Sequence, residues 1–195
     1  ADDDWVWFYL VGGGGAAIAL NTLGNAGAGG GAACIVSVLG ADIPATLTLT
    51  VGSGGTRTGA AFWDRDGEDT KIEYATGEFL IARGGKGGAV GTSGNGGGEE
   101  VAGQAFTSTS TFNTALSGLQ GGQGGGTSSS GRPPGSSIFG AGGGSGNGWS
   151  GGASTSKYAG NGSTSGNNAN APGGGGSPWN GTQPDGAKGS IRIYY

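Results

Sequence analysis

Four of the chain's thirteen acidic residues crowd into one short run, Asp64-Arg65-Asp66-Gly67-Glu68-Asp69. Clustered carboxylates suit a hard cation such as calcium. The run misses the D-x-[DN]-x-[DN]-G spacing, however, and Arg65 interrupts it, so a solvated turn is the simpler reading. Two such acids at a fixed separation could hydrolyse a glycosidic bond, but nothing in the sequence fixes a separation. With no histidine in the chain, His-based triads and dyads and most zinc sites are excluded. The single Cys34 lies inside the apolar run AACIVSVL, where a small buried hydrophobe is expected rather than a reactive thiol, and one cysteine builds no disulfide framework. The expectation is a non-enzymatic chain with no cofactor and no metal.

A second candidate chemistry sits in WVWFYLVGGGGAA, residues 5–17. Gly12, Gly14 and Ala17 fit the dinucleotide fingerprint G-x-G-x-x-A after a strand, and CIVSVLGAD brings a second apolar run to Asp42. That reading needs a crossover helix between the two strands. The intervening IALNTLGNAGAGGGAA is too rich in glycine, which costs ~1 kcal/mol per residue against alanine in a helix. The four glycines therefore need another explanation.

Composition supplies one. Of 52 glycines, 16 fall in residues 1–83 and 36 in residues 84–195, where serine, threonine and asparagine supply much of the rest. The shift divides the chain into a strand-rich region, 1–83, and a glycine-rich region, 84–195, expected to fold together as one domain. Net charge is −4, and ten of the thirteen acids lie in the first region. The second is nearly neutral, too sparse in cations to track phosphates, so nucleic acid is not an expected partner. No apolar run approaches the roughly 20 residues of a membrane helix, and no membrane insertion is expected. The opening ADDD lacks an initiator methionine and is too acidic for a signal peptide, as expected of a processed chain or a fragment.

Strands are expected at Trp5 to Val11, Ala33 to Leu39, Ala45 to Val51, Phe62 to Asp64, Lys71 to Tyr74 and Phe79 to Ala82, with a hairpin turn near Asp66-Gly67. In TLTLTV, Leu47, Leu49 and Val51 alternate with threonine, which makes a half-buried strand. The closing GSIRIYY alternates again, and it is expected to return to a sheet containing Trp5 to Val11. Between these lie glycine clusters through which no useful helix can be written. Their glycines often recur three apart, as at Gly84 and Gly87 or Gly121 and Gly124. Three residues is the repeat of the extended left-handed helix of polyproline and polyglycine, which has no internal hydrogen bonds. Its outward N–H and C=O groups must bond to neighbours, and only glycine lets backbones approach closely. The expected fold is all-β and irregular: short strands in the first region and at the C-terminus, joined to a packed array of polyglycine II helices linked by loops. Gly12 to Gly15 would be its first member.

The ordered series FYLVGGGGAA, GAGGGAACIVSVL, TLTLTVGSGG, GEDTKIEYATGEFLIARGGKGG and GAKGSIRIYY resembles the glycine-rich distal domains of bacteriophage tail fibres and adhesins. The resemblance covers most of the chain. It implies a virion or extracellular location and host attachment without catalysis, with variable loops at the ends of the glycine helices meeting a bacterial surface protein or polysaccharide. AAFWDRDGEDT is more acidic than that pattern.

The separators Gln104 to Phe112, Arg132 to Phe139, Trp149 to Tyr158 and Trp179 to Gln183 combine aromatics with hydroxyls and amides. Candidate receptor contacts are Phe106, Phe112, Arg132, Phe139, Trp149, Tyr158 and Trp179, with Trp149, Tyr158 and Trp179 as anchors and Arg132 as the charged contact. Each aromatic has a structural reading too, as a plug beside a layer without side chains. A structural glycine-rich filament or matrix protein is the alternative function, and a homo-oligomer, trimer or filament, fits either. An ice-binding bundle would want regular Gly-x-x tripeptides, which the separators interrupt. Asn161-Gly-Ser and Asn180-Gly-Thr have the form of glycosylation sequons, expected by chance in such a composition.

Overall fold

The computed structural model describes residues 4–20, 24–56, 66–74, 79–88, 112–119, 141–144, 159–163, 168–177 and 184–195. The expected strand at Phe62 to Asp64 falls outside them. Strands run over β1 (Trp5–Val11), β2 (Ile18–Leu20), β3 (Gly24–Ala26), β4 (Ala33–Leu39), β5 (Leu47–Thr50), β6 (Thr70–Tyr74), β7 (Phe79–Ala82), β8 (Phe112–Leu119) and β9 (Ser190–Tyr194), with one 3-10 turn at Gly40–Asp42. Among the described residues there is no α-helix. The fold is all-β and irregular, as the sequence predicts.

Two sheets carry the apolar core. One has the order β8-β4-β1-β9 and the other β5-β6-β7, while β2 and β3 form a separate hairpin. Among the described residues every pairing is antiparallel. Trp7 to Val11 pair with Tyr194 to Ser190, so the first and last described strands meet in one sheet. Alternation in β1 sends Phe8 and Leu10 inward with Cys34, Val36 and Val38 of β4, and Ile72, Leu80 and Ala82 of the second sheet complete the cluster. Full burial of each large side chain contributes about 1.5–3 kcal/mol. Strand β8 was not expected, because its apolar residues Phe112, Ala115, Leu116 and Leu119 do not alternate. The register against β4 shifts twice, between Ala33 and Ile35 and again between Ile35 and Ser37. Each shift inserts an extra residue, and such bulges hide a strand from a two-residue pattern.

Strands β1, β5 and β7 run straight on into extended segments, here termed rods: 12–17, 51–56 and 83–88. Rods 27–32, 66–69 and 184–189 lead directly into β4, β6 and β9. The rods bond to one another with a repeat of three residues. In rod 12–17, Gly12 and Gly15 donate to the carbonyls of Ala32 and Gly29, Gly14 and Ala17 to those of Ala187 and Pro184, and Gly13 to that of Glu68. Its carbonyls at Gly13 and Ala16 accept from Gly85 and Gly88, that of Gly14 from Gly55, and that of Gly15 from Gly176. Successive peptides thus point to different neighbours.

Six rods therefore surround rod 12–17, and they bond to each other in turn. Ala32 donates to Arg83, Gly67 to Gly85, Glu68 to Ser53, Gly186 to Gly55, Ala187 to Gly174 and Ala28 to Gly176, which closes a ring. The last member, 173–177, is itself encircled. Besides rods 12–17, 27–32 and 184–189, it bonds to 141–144 through Gly175 and Gly142, to 159–163 through Ser163 and Gly175, and to 168–170 through Gly174 and Asn170. Segment 168–170 reaches this rod through a turn at 171–173, where the Ala171-Pro172 peptide is cis and Gly173 has a φ of +77°, a conformation that favours glycine.

Asp66-Gly67 is not the tip of a hairpin, which corrects the sequence reading. Gly67 donates to the carbonyl of Gly85, and a Cβ on it would collide with the carbonyl of Gly13. It belongs to the array because a packed lattice supplies partners for its backbone that a two-strand turn cannot.

Candidate functional site

The array has a proximal end, where strands of the two larger sheets join six of the rods, and a distal end. Rod 12–17 runs distally from β1, and its bonds fix the level of the others. Ala17 lies level with Pro184, Ala16 with Gly88, and Gly15 with both Gly176 and Gly29. Gly176 is level with Ala28, which also accepts from Gly144, and Ser163 is level with Gly175. Chain exits through Ala17, Gly88, Gly144, Ser163 and Ser177 therefore gather at the distal end, together with the β2–β3 hairpin. Rods 12–17, 27–32, 141–144 and 173–177 consist almost wholly of glycine and alanine, so specificity at this end belongs chiefly to the connections between rods.

Of the residues singled out by sequence, Phe106, Arg132, Phe139, Trp149, Tyr158 and Trp179 lie outside the described residues. Phe112 opens β8, its backbone paired with Val38 near the end of β4 remote from the array. Trp179 falls between Ser177 and Pro184, which flank it at the distal end.

The acidic run has a role that the sequence reading missed. The Asp69 carboxylate accepts from the Gly84 N–H at 2.9 Å and faces the Arg83 guanidinium at 3.5 Å. Three residues earlier, Asp66 accepts from the Gly87 N–H at 2.8 Å and pairs with the Lys86 ammonium at 2.9 Å. Glu68 accepts from the Ser53 N–H at 3.1 Å. The carboxylates stitch rod 66–69 to its neighbours instead of forming a solvated turn. The signal was present as matched three-residue spacings, Asp66/Asp69 against Arg83/Lys86 and Gly84/Gly87. Asp64 lies outside the described residues. Among the described residues no cluster of three or more His, Cys, Asp or Glu could hold a metal ion.

Backbone bonding also removes the dinucleotide reading. The N–H groups of Gly12, Gly13, Gly14 and Gly15 that would cradle phosphates all donate to carbonyls of neighbouring rods. Cys34 is fully buried in β4, and burial pushes its thiol up to about 12, which keeps it protonated at neutral pH. The Asn161 sequon sits in an extended rod, where Ser163 is buried and donates its N–H to the Gly175 carbonyl. Thr70, fully buried where β6 leaves the array, accepts the Gly52 N–H at 3.0 Å through its hydroxyl. Among the described residues, no helix is long and apolar enough to cross a membrane.

No curated protein matches the chain. The family profile described as glycine-rich domain matches residues 1–195, all of the sequence, and its central encircled rods show what that glycine builds: the chain belongs to the glycine-rich domain family.

Proposed function

We propose that this domain is the receptor-recognising tip of a virion fibre, attaching to a bacterial surface protein or polysaccharide through the distal end of its glycine array. The observation that supports this reading is the gathering of chain exits at one end, with Ser177 and Pro184 bracketing the stretch that carries Trp179. A lattice made of backbone offers a partner little chemistry, so recognition passes to the connections. Trp149 and Trp179 are the proposed anchors, because the stretches that carry them leave the array at Gly144 and Ser177 on the distal end; the stretches that carry Arg132 and Tyr158 rejoin it at residues 141 and 159 on the proximal end, so these two residues are not assigned to the distal site. Large rigid aromatics bind at low entropic cost.

The test replaces residues 178–183, and separately 145–158, with Gly-Ser of equal length. The expected outcome is an unchanged thermal melt with lost binding of the isolated domain to host cells. If each folded replacement bound as the parent does, the structural filament reading would take its place.

A further inference from the structure

We propose that the side chains on the outward side of the outer rods act as blocks, which stop the glycine array from taking up a further rod from another molecule. The reasoning is independent of the receptor reading and starts from an asymmetry within the array. Rods 12–17, 27–32 and 173–177 are buried throughout and hold nothing larger than serine. Four rods of the ring around 12–17, namely 51–56, 66–69, 83–88 and 184–189, reach the surface. Their exposed residues are Ser53, Thr56, Glu68, Lys86 and Lys188, with Val51 where β5 ends, and none of their glycines is exposed. Segments 159–163 and 168–170 follow the same rule, with asparagine at each exposed position.

Polarity alone does not account for the pattern. Glycine supplies 52 of the 195 residues, and its bare backbone is itself polar, so exposed glycine would meet water equally well. What glycine cannot do is keep a neighbouring backbone away. Inside the array a Cβ on Gly14 would collide with the carbonyl of Gly174, one on Gly54 with that of Gly186, and one on Gly84 with that of Gly67. A side chain on the contacting side of a rod thus holds a neighbouring rod off. The outward side chains recur at the rod repeat: Ser53 and Thr56, Arg83 and Lys86, and Asp185 and Lys188 each stand three apart, all of them exposed or half-buried.

The blocks answer a hazard of this fold. An outer rod resembles the edge strand of a sheet, because its backbone N–H and C=O groups on the side away from its neighbours form a template for another chain. Edge strands are blunted by charged side chains, and the outer rods carry the same device in steps of three. Charge adds to bulk here: the Lys86 ammonium pairs with the Asp66 carboxylate at 2.9 Å, and covering such a pair would strip it of water. Rod 51–56 carries no charge and relies on Ser53 and Thr56, so it is the place where the array is most easily opened to a second copy.

Sedimentation velocity of this chain across the micromolar range, parent beside variant, tests the proposal. Ser53→Gly/Thr56→Gly bares the outward side of rod 51–56 and leaves its backbone bonds in place. A shift to faster-sedimenting species that grows with concentration is expected, with the thermal melt of the domain retained. Ser53→Asn/Thr56→Asn keeps a side chain at both positions and should sediment as the parent does. Should the glycine pair fail to fold, Lys188→Gly must produce the shift and Lys188→Gln, which keeps the bulk without the charge, must not. Folded glycine variants that sediment like the parent, asparagine or glutamine variants that associate like the glycine ones, or association that comes only with a lost melt would each overturn it.

Discussion

Gly14 and Gly40 show how differently two glycines can matter. A Cβ on Gly14 would collide with the carbonyl of Gly174, a backbone group that cannot swing aside, whereas one on Gly40 meets only the Asp4 carbonyl, at 3.3 Å. Gly14→Ala is therefore expected to cost on the order of 4 kcal/mol or to prevent folding, and Gly40→Ala about 1 kcal/mol or less. Chemical denaturation of the two variants separates these outcomes. Cys34 makes a second residue-scale prediction. A thiol raised from 9.0 to about 12 in the folded chain contributes fully below pH 9, and that contribution is lost as the pH climbs toward 12. The slope attributable to it is about 1.4 kcal/mol per pH unit within that window. Comparing parent and Cys34→Ala stability between about pH 9 and 11, the lower part of that window, checks it: the difference should shift steadily against the parent there and stay flat below it.

At the scale of elements, the clip between rods 66–69 and 83–88 is the most testable contact. Removing the Asp69 carboxylate orphans the N–H of Gly84, a buried glycine, and an unpaired buried donor costs about 1–3 kcal/mol. Lys86→Ala deletes only a solvent-screened partner of Asp66 and should cost under about 1 kcal/mol. Thermal melts of Asp69→Ala and Lys86→Ala should rank in that order. Strand β9 invites a harsher test. Deleting residues 191–195 strips the edge from β1 and uncovers Ile191's packing against the core cluster. A clear loss of melting temperature is expected, and an unchanged melt would show that β1 needs no partner there. The strands β1, β4, β5, β6, β7 and β9 were legible in the sequence. Strand β8 was not, because two bulges break its period, and the β2–β3 hairpin was hidden by the glycines that follow it.

For the whole molecule, encirclement predicts a gradient of stability. Amides of Gly12 to Gly15 donate to four separate carbonyls on three rods, so no one of them can open without disturbing several neighbours. Hydrogen exchange at these four amides is expected to require near-global unfolding, and exchange as fast as at the exposed rods' ends would contradict the packed ring. The same geometry gives the molecule polarity. One end of the array continues into a strand sandwich with an aromatic outer face, and the other gathers chain exits.

By itself, the sequence determined the material of this protein: glycine at a density and spacing that rules out helix and demands backbone-to-backbone bonding, with apolar alternation enough for the principal strands. It also fixed what chemistry was missing, since a chain without histidine cannot build the commonest catalytic and zinc sites. Only the tertiary structure decided which rods touch. Glycine carries no side chain to encode a neighbour, so the central place of Gly12 to Gly15, the ring around it and the distal gathering of exits follow from how the described strands and their rods close together. The acidic run shows the same division. Its charges were plain in the sequence, but their partners, Arg83, Lys86 and the amides of Gly84 and Gly87, became partners only when two distant segments were laid side by side in matching steps of three.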